Sequence, residues 1–118
     1  MWEVEYTDEF GEWWSGLSED EQAVTIKAVD KLGEEGPTLG RPLVDTVVGS
    51  RHPNMKELRP RPGNLRVLFA FDPRRTAILL LGGDKTGKWR EWYEKAIPFA
   101  DDLFDAHLNE LREEGEIG

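Results

Sequence analysis

Met55-Lys56-Glu57-Leu58-Arg59, Leu65-Arg66-Val67-Leu68-Phe69-Ala70-Phe71 and Thr76-Ala77-Ile78-Leu79-Leu80-Leu81 are three mainly apolar runs of strand length, set apart by turn residues. Pro60 and Pro62-Gly63-Asn64 make the first turn, and Asp72-Pro73-Arg74-Arg75 makes the second. Connections this short predict a meander of three antiparallel strands whose centre is the core. On the N-terminal side, Trp2 to Thr7 alternates apolar and polar residues, so a strand is expected with Trp2, Val4 and Tyr6 inward. Asp8 is expected to cap a short helix carrying Phe10, Trp13 and Trp14, closed by Gly16. Ser18-Glu19-Asp20-Glu21 matches a capping box and opens a second helix with Ala23, Ile26, Val29 and Leu32 as its apolar stripe.

Residues 37–55 read as a long connection with a short extended piece at Leu43 to Val48. Beyond the meander, Gly82 to Lys88 reads as a glycine-permitted loop. Trp89 then opens a helix through Trp92, Ala96, Phe99, Leu103, His107 and Leu111, which Pro98 must kink or divide. The expectation is an α+β fold, a small mainly antiparallel sheet in the order β-α-α-β-β-β-α with helices packed on it. Its 118 residues make one domain, with 112–118 expected to be a flexible acidic tail.

Composition narrows function. Cysteine is absent, which excludes thiolate metal sites and cysteine nucleophiles and is compatible with a reducing cytoplasm. The apolar runs are far short of the ~18 residues a membrane helix needs, and Met-Trp-Glu does not open a leader peptide, so a cytoplasmic protein without a membrane partner is expected. The formal charge is -9, yet it is unevenly distributed. Residues 1–40 carry 11 acids and 2 bases, residues 41–95 carry 6 acids and 12 bases, and residues 96–118 carry 7 acids and 1 base. A net +6 centre can steer a polyanion where the whole molecule would repel it. In an antiparallel meander Arg59, Arg66 and the segment holding Lys85, Lys88 and Arg90 fall at one end of the sheet. That patch is either a solvated basic rim or an anion site, and the spacing alone leaves both open.

Gly82 to Lys88 nearly matches a phosphate-binding loop, but Trp89 stands where Ser or Thr must reach Mg²⁺. Mononucleotide hydrolysis is therefore not expected. With only His52 and His107 and no paired spacing, no metal centre and no cofactor are expected. His107 sits among Leu103, Leu108 and Leu111 as a structural histidine would, whereas His52 lies in the basic loop Ser50-Arg51-His52-Pro53, a better place for proton transfer. Asp101-Asp102 and Glu113-Glu114 are adjacent in sequence, hence not aligned on one helix face, and read as solvent-facing pairs or partner contacts rather than a two-metal site. Trp89, Trp92 and Tyr93 follow the basic loop; core packing competes with base stacking for the tryptophans, and the Tyr93 hydroxyl could orient a phosphate. Cleaving RNA without metal requires a base for the attacking 2′-hydroxyl and cations for the phosphoryl oxygens. Arg59, Arg66 and Lys85 suit the cationic role; His52, or Lys85 with a lowered pKa, suits the base.

The run Met55-Lys56-Glu57-Leu58-Arg59, followed by Arg66-Val67-Leu68-Phe69-Ala70-Phe71-Asp72-Pro73 and the strand to Lys85, resembles the RelE/ParE superfamily of toxins from bacterial type II toxin-antitoxin modules, nearest the HigB-like, phage Gp49-like branch. The likeness spans about residues 2–111. It implies a RelE-like microbial RNase-type fold and a metal-independent endoribonuclease that cleaves mRNA on the ribosome and inhibits translation. It also implies a helix-turn-helix antitoxin as partner, through which operator DNA is bound indirectly. By that resemblance Arg59, Arg66 and Lys85 are the leading catalytic candidates; the residue chemistry adds His52 and Tyr93 as catalytic candidates and Arg51, Lys56, Lys88 and Arg90 as RNA-binding candidates. Where the family often carries paired lysines, this chain has Gly82-Gly83-Asp84-Lys85 and a later Lys88. Two alternatives accompany this reading: a toxin fold directed at another target such as DNA gyrase, and a non-enzymatic regulatory or protein-binding domain.

Overall fold

The computed structural model describes all residues, Met1–Gly118. The elements are β1 (Val4–Tyr6), α1 (Asp8–Ser15), α2 (Glu19–Glu35), a 3₁₀ turn (Gly36–Thr38), β2 (Val44–Thr46), β3 (Lys56–Leu58), β4 (Leu65–Phe71), β5 (Ala77–Asp84) and α3 (Trp89–Glu113). One five-stranded sheet has the order β1-β5-β4-β3-β2. Strands β2 to β5 form an antiparallel meander and β1 joins β5 in parallel. The α+β architecture is as expected; the extended piece anticipated within 43–48 is a strand of the sheet, so the order gains one element.

Helices α1 and α2 cover one face and α3 the other. Along β4, Val67 and Phe69 enter the α1/α2 core with Leu32, Leu58 and Leu79, while Leu68 and Ala70 enter the α3 core with Met55, Leu80 and Phe104. Coverage on both faces is why β4 reads as a continuous apolar run rather than an alternating one. Burying each large side chain on this strand contributes about 2 kcal/mol as an upper estimate.

Several local expectations give way to tertiary packing. Thr7, not Asp8, caps α1: its hydroxyl accepts from the Phe10 N–H at 3.1 Å and donates to the Leu80 carbonyl at 2.6 Å, tying the helix start to β5. Tyr6 is exposed rather than inward, because the sheet edge at β1 is only partly covered. On α2 the buried face is Thr25, Ala28 and Leu32, with Ala23 and Ile26 outward; Thr25 can be buried because its hydroxyl donates to the Glu21 carbonyl. Pro98 does not divide α3, which runs unbroken from Trp89 to Glu113. Beyond α3, the Glu116 N–H donates to the Leu111 carbonyl and its carboxylate pairs with Arg74 at 3.3 Å. No helix is long and apolar enough to cross a membrane.

The largest departure is the segment after Leu81. Strand β5 continues through Gly82 and Gly83 to Asp84, so this part of the expected loop belongs to the sheet. A Cβ on Gly82 would overlap the Trp13 indole and one on Gly83 the Trp92 indole. Two rings therefore press on the strand from opposite faces where only hydrogen side chains leave room. A bulge, in which Leu68 faces Leu81 while Phe69 faces Leu79, shifts the register and brings Gly83 opposite Arg66.

Candidate active site

At the end of the sheet where β3, β4 and β5 meet the start of α3, three side chains converge on Glu57. Pleating puts Glu57 on the α3 face, opposite Leu68, whereas its neighbours Lys56 and Leu58 point to the α1/α2 face. Glu57 is only 6% exposed. One of its oxygens lies 3.2 Å from Arg66 Nε and also accepts a short hydrogen bond from the Tyr93 hydroxyl; the other lies 3.5 Å from an Arg59 terminal nitrogen. Arg59 reaches Asp45 of β2 as well, at 3.3 Å, and Arg66 donates to the Leu65 carbonyl at 2.8 Å. Both guanidinium groups still hold a buried Nε–H with no hydrogen-bond acceptor: the Arg66 Nε is close to Glu57 but misaligned for a bond. Donors thus outnumber acceptors at this carboxylate.

Tyr93 is half-buried, and that burial, reinforced by the Glu57 carboxylate, pushes its phenol up to about 12. It is a neutral hydrogen-bond donor throughout the physiological range. The Arg41 guanidinium, with the Thr46 N–H, holds the Asp45 carboxyl below the usual carboxylate range, so Asp45 remains an anion beside Arg59.

Lys85 follows β5 directly, and its N–H donates to Asn64 at 3.0 Å, closing the sheet end. Its ammonium lies 5.5 Å from the centre of the exposed Trp89 ring; the Arg90 guanidinium lies 5.4 Å from the same ring. Trp89 in turn meets Tyr93 edge-on at 6.1 Å. Lys88 immediately precedes α3, exposed beside them. Of the residues singled out in the sequence, Arg59, Arg66, Lys85, Tyr93, Lys88 and Arg90 are therefore gathered at one end of the molecule.

Arg51, His52 and Lys56 are not. His52 Nε2 lies 2.7 Å from Asp105, and its ring packs edge-on against Phe104. Arg51 binds Asp105 at 2.6 Å and Asp102 at 3.0 Å. The Arg51 guanidinium holds the Asp105 carboxyl below its usual range, and His52 adds to the effect. Twelve residues along α3 separate Asp105 from Tyr93, about 18 Å at 1.5 Å per residue. This loop is a clip onto the far part of α3, so His52 is not delivered to the proton-transfer position anticipated for it. Asp101, read from sequence as solvent-facing, is buried and anchors the clip by accepting from the Ser50 hydroxyl and, at 2.9 Å, from the Arg51 N–H. Lys56 leaves the cluster by strand alternation alone.

Glu57 was missed as a site residue. Its signal lay in Lys56-Glu57-Leu58-Arg59, where a period of two puts Glu57 and Arg59 on one face, but an acid among basic residues reads as a surface ion pair until its burial is known. No group of three or more His, Asp or Glu side chains is placed to hold a metal ion.

The family profile described as Phage derived protein Gp49-like matches residues 12–105. HigB2 of Mycobacterium tuberculosis (strain ATCC 25618 / H37Rv) is 49% identical over 104 residues, a match covering 86% of this chain and 52% of HigB2. HigB3 of the same organism is 57% identical over 89 residues, covering 75% of this chain and 78% of HigB3. The chain thus spans about half the length of HigB2 and most of HigB3. In fold it is similar to the isolated E. coli RelE toxin, with a TM-score of 0.60 at 11% identity over 81% of this chain and 99% of RelE. It is also similar to a chain of the intact E. coli RelBE toxin-antitoxin complex, with a TM-score of 0.58 at 10% identity over 71% of this chain and 96% of that one. The matched span includes β3, β4, β5 and the first four turns of α3, the elements that assemble the Glu57 cluster, and the chain belongs to the Gp49-like family, in the HigB-like branch of the RelE/ParE toxin superfamily.

Proposed function

We propose that the chain is the toxin of a type II toxin-antitoxin module and an endoribonuclease that cleaves mRNA on the ribosome. The observation that carries this reading is the convergence of Arg59, Arg66 and Tyr93 on buried Glu57, with Lys85, Lys88 and Arg90 at its margin. In the proposed step an RNA 2′-hydroxyl attacks the adjacent phosphorus, forming the 2′-O–P bond as the bond to the 5′-oxygen breaks. Glu57 accepts the 2′-hydroxyl proton, and solvent or Tyr93 supplies a proton to the leaving 5′-oxygen. The surplus donors of Arg59 and Arg66, with Lys85, hold the charge that develops on the phosphoryl oxygens. The products are a 2′,3′-cyclic phosphate and a 5′-hydroxyl end. A buried acid with basic residues at its margin, on a small domain, suits a substrate presented by a larger assembly.

A protein antitoxin is proposed as the neutralising partner, with operator DNA bound through it; that the structurally similar RelE occurs in a RelBE toxin-antitoxin complex supports this. The test is inducible expression followed by mapping of mRNA 5′ ends, with purified protein assayed with and without ribosomes. Growth arrest and ribosome-dependent fragments bearing cyclic or 3′-phosphate ends are expected. Folded protein that neither arrests growth nor cleaves RNA overturns the proposal; inhibition of gyrase without RNA fragments transfers the chain to a different target.

A further inference from the structure

Between β1, α1 and α2, on the side of the molecule away from α3, lies an open hollow of about 630 Å³. Its apolar lining includes Tyr6, Phe10, Trp14, Ile26 and Val29, and Tyr6 and Ile26 are 67% and 49% exposed. The two charged residues of the lining are both acids, Glu12 and Asp30, and neither takes part in an ion pair within the chain. The two bases of residues 1–40, Lys27 and Lys31, line a separate hollow with Arg61. An apolar trough with unpaired acids at its sides is complementary to an amphipathic helix carrying cations beside its apolar face.

Gly11 adds an independent observation. It lies inside α1, where glycine costs about 1 kcal/mol relative to alanine. A Cβ there would make only ordinary contact, 3.6 Å from the Tyr6 ring, so packing within the chain does not require the glycine. Its bare backbone borders the hollow and permits a close neighbour.

We propose that this groove is a docking surface for a basic amphipathic helix of a partner protein. A second copy of this chain docked through the same groove is a poor occupant, because it would bring another Glu12 and Asp30 to the same acids. The surface stands apart from the Glu57 cluster, and the proposal does not depend on RNA cleavage.

The test uses two defined probes, an amphipathic helical Leu/Lys peptide and the same peptide with every Lys replaced by Glu, titrated into the ¹⁵N-labelled full chain. The Leu/Lys peptide is expected to shift amide signals of α1, α2 and β1 and to bind roughly ten-fold or more tightly than its acidic counterpart. Ile26→Asp should weaken that binding by about ten-fold, and the double variant Glu12→Lys with Asp30→Lys should reverse the preference between peptides. All three substituted side chains are exposed, and circular dichroism verifies folding. Absence of binding, shifts outside the groove, or a preference untouched by charge reversal overturns the proposal. So does a concentration-dependent dimer in sedimentation that Ile26→Asp abolishes, which would place a second copy there. RNA cleavage measured on the same Ile26→Asp protein should be unchanged, so failure of the groove and failure of the nuclease reading give different patterns.

Discussion

Two of the arginine-carboxylate clusters on the α3 side of this molecule, those at Glu57 and at Asp72, differ in which partner is in excess. At Glu57 one buried carboxylate meets two guanidinium groups and a phenol. At Asp72 the balance is reversed: Arg74 is held by Asp72 at 2.7 Å, Glu5 at 3.0 Å and Glu116 at 3.3 Å, and Asp72 also binds His107 at 2.8 Å. The Arg74 and Thr76 N–H groups donate to Asp72 as well, so its acceptor capacity is filled. A cation surrounded by acids has no capacity left for an anionic ligand. An acid surrounded by cations leaves donors to spare. The second cluster fastens β1, the β4–β5 turn and the end of α3 together; the first retains the charge a phosphate could use.

That contrast can be broken from either side. Glu57→Gln should lower RNA cleavage by about 10²-fold or more with folding retained, because the amide keeps hydrogen-bonding capacity but cannot take the proton. Arg66→Ala should lose a comparable or larger factor, on the order of 10²–10³. Cleavage assays paired with thermal melts check both. If either variant cleaves normally, Glu57 and Arg66 belong with Asp72 as fasteners.

Asp72→Asn should have the opposite profile, losing about 3 kcal/mol of stability in denaturant titrations while the folded fraction keeps its cleavage rate. Burial pushes the Asp72 carboxyl up, but hydrogen bonds from Arg74, His107 and Thr76 outweigh this and hold it below its ordinary 3.8. A carboxyl lowered by folding stabilises the protein fully above the unfolded value and loses that contribution as pH falls through the folded one. The stability difference between wild type and Asp72→Asn should therefore shrink in the acid range below 3.8 and stay constant above it.

His52→Ala sharpens the comparison with a smaller effect. It should cost about 1 kcal/mol from the clip on α3 and leave cleavage within about three-fold, read by melts and RNA assay. The smallest signal is spectroscopic: compared with Tyr93→Phe, the wild type should show an additional phenolate transition only near pH 12, since burial and Glu57 hold that proton.

Much of the fold was legible because its signals are local. The Ser18–Glu21 capping box forms as read, with both reciprocal hydrogen bonds, and the runs 65–71 and 77–81 are strands with the expected pairing. Signals requiring knowledge of a neighbour were misread. Gly82 and Gly83 resembled a loop because sequence does not reveal that Trp13 and Trp92 occupy the space of their missing side chains. Ile26 looked like core because a helical stripe only a residue out of place satisfies the same periodicity.

Sequence alone determined the α+β class, the antiparallel meander, the basic centre of an acidic chain and the grouping of Arg59 with Arg66, all of which follow from periodicity, turn chemistry and linear charge. Tertiary structure decided the acid at the centre of that group. It also sent Arg51 and His52 to the acids of α3 and turned an apolar groove with unpaired carboxylates outward. The reason is physical: a charged side chain's role depends on its burial and on the ratio of donors to acceptors around it, and both are set by residues distant in the chain.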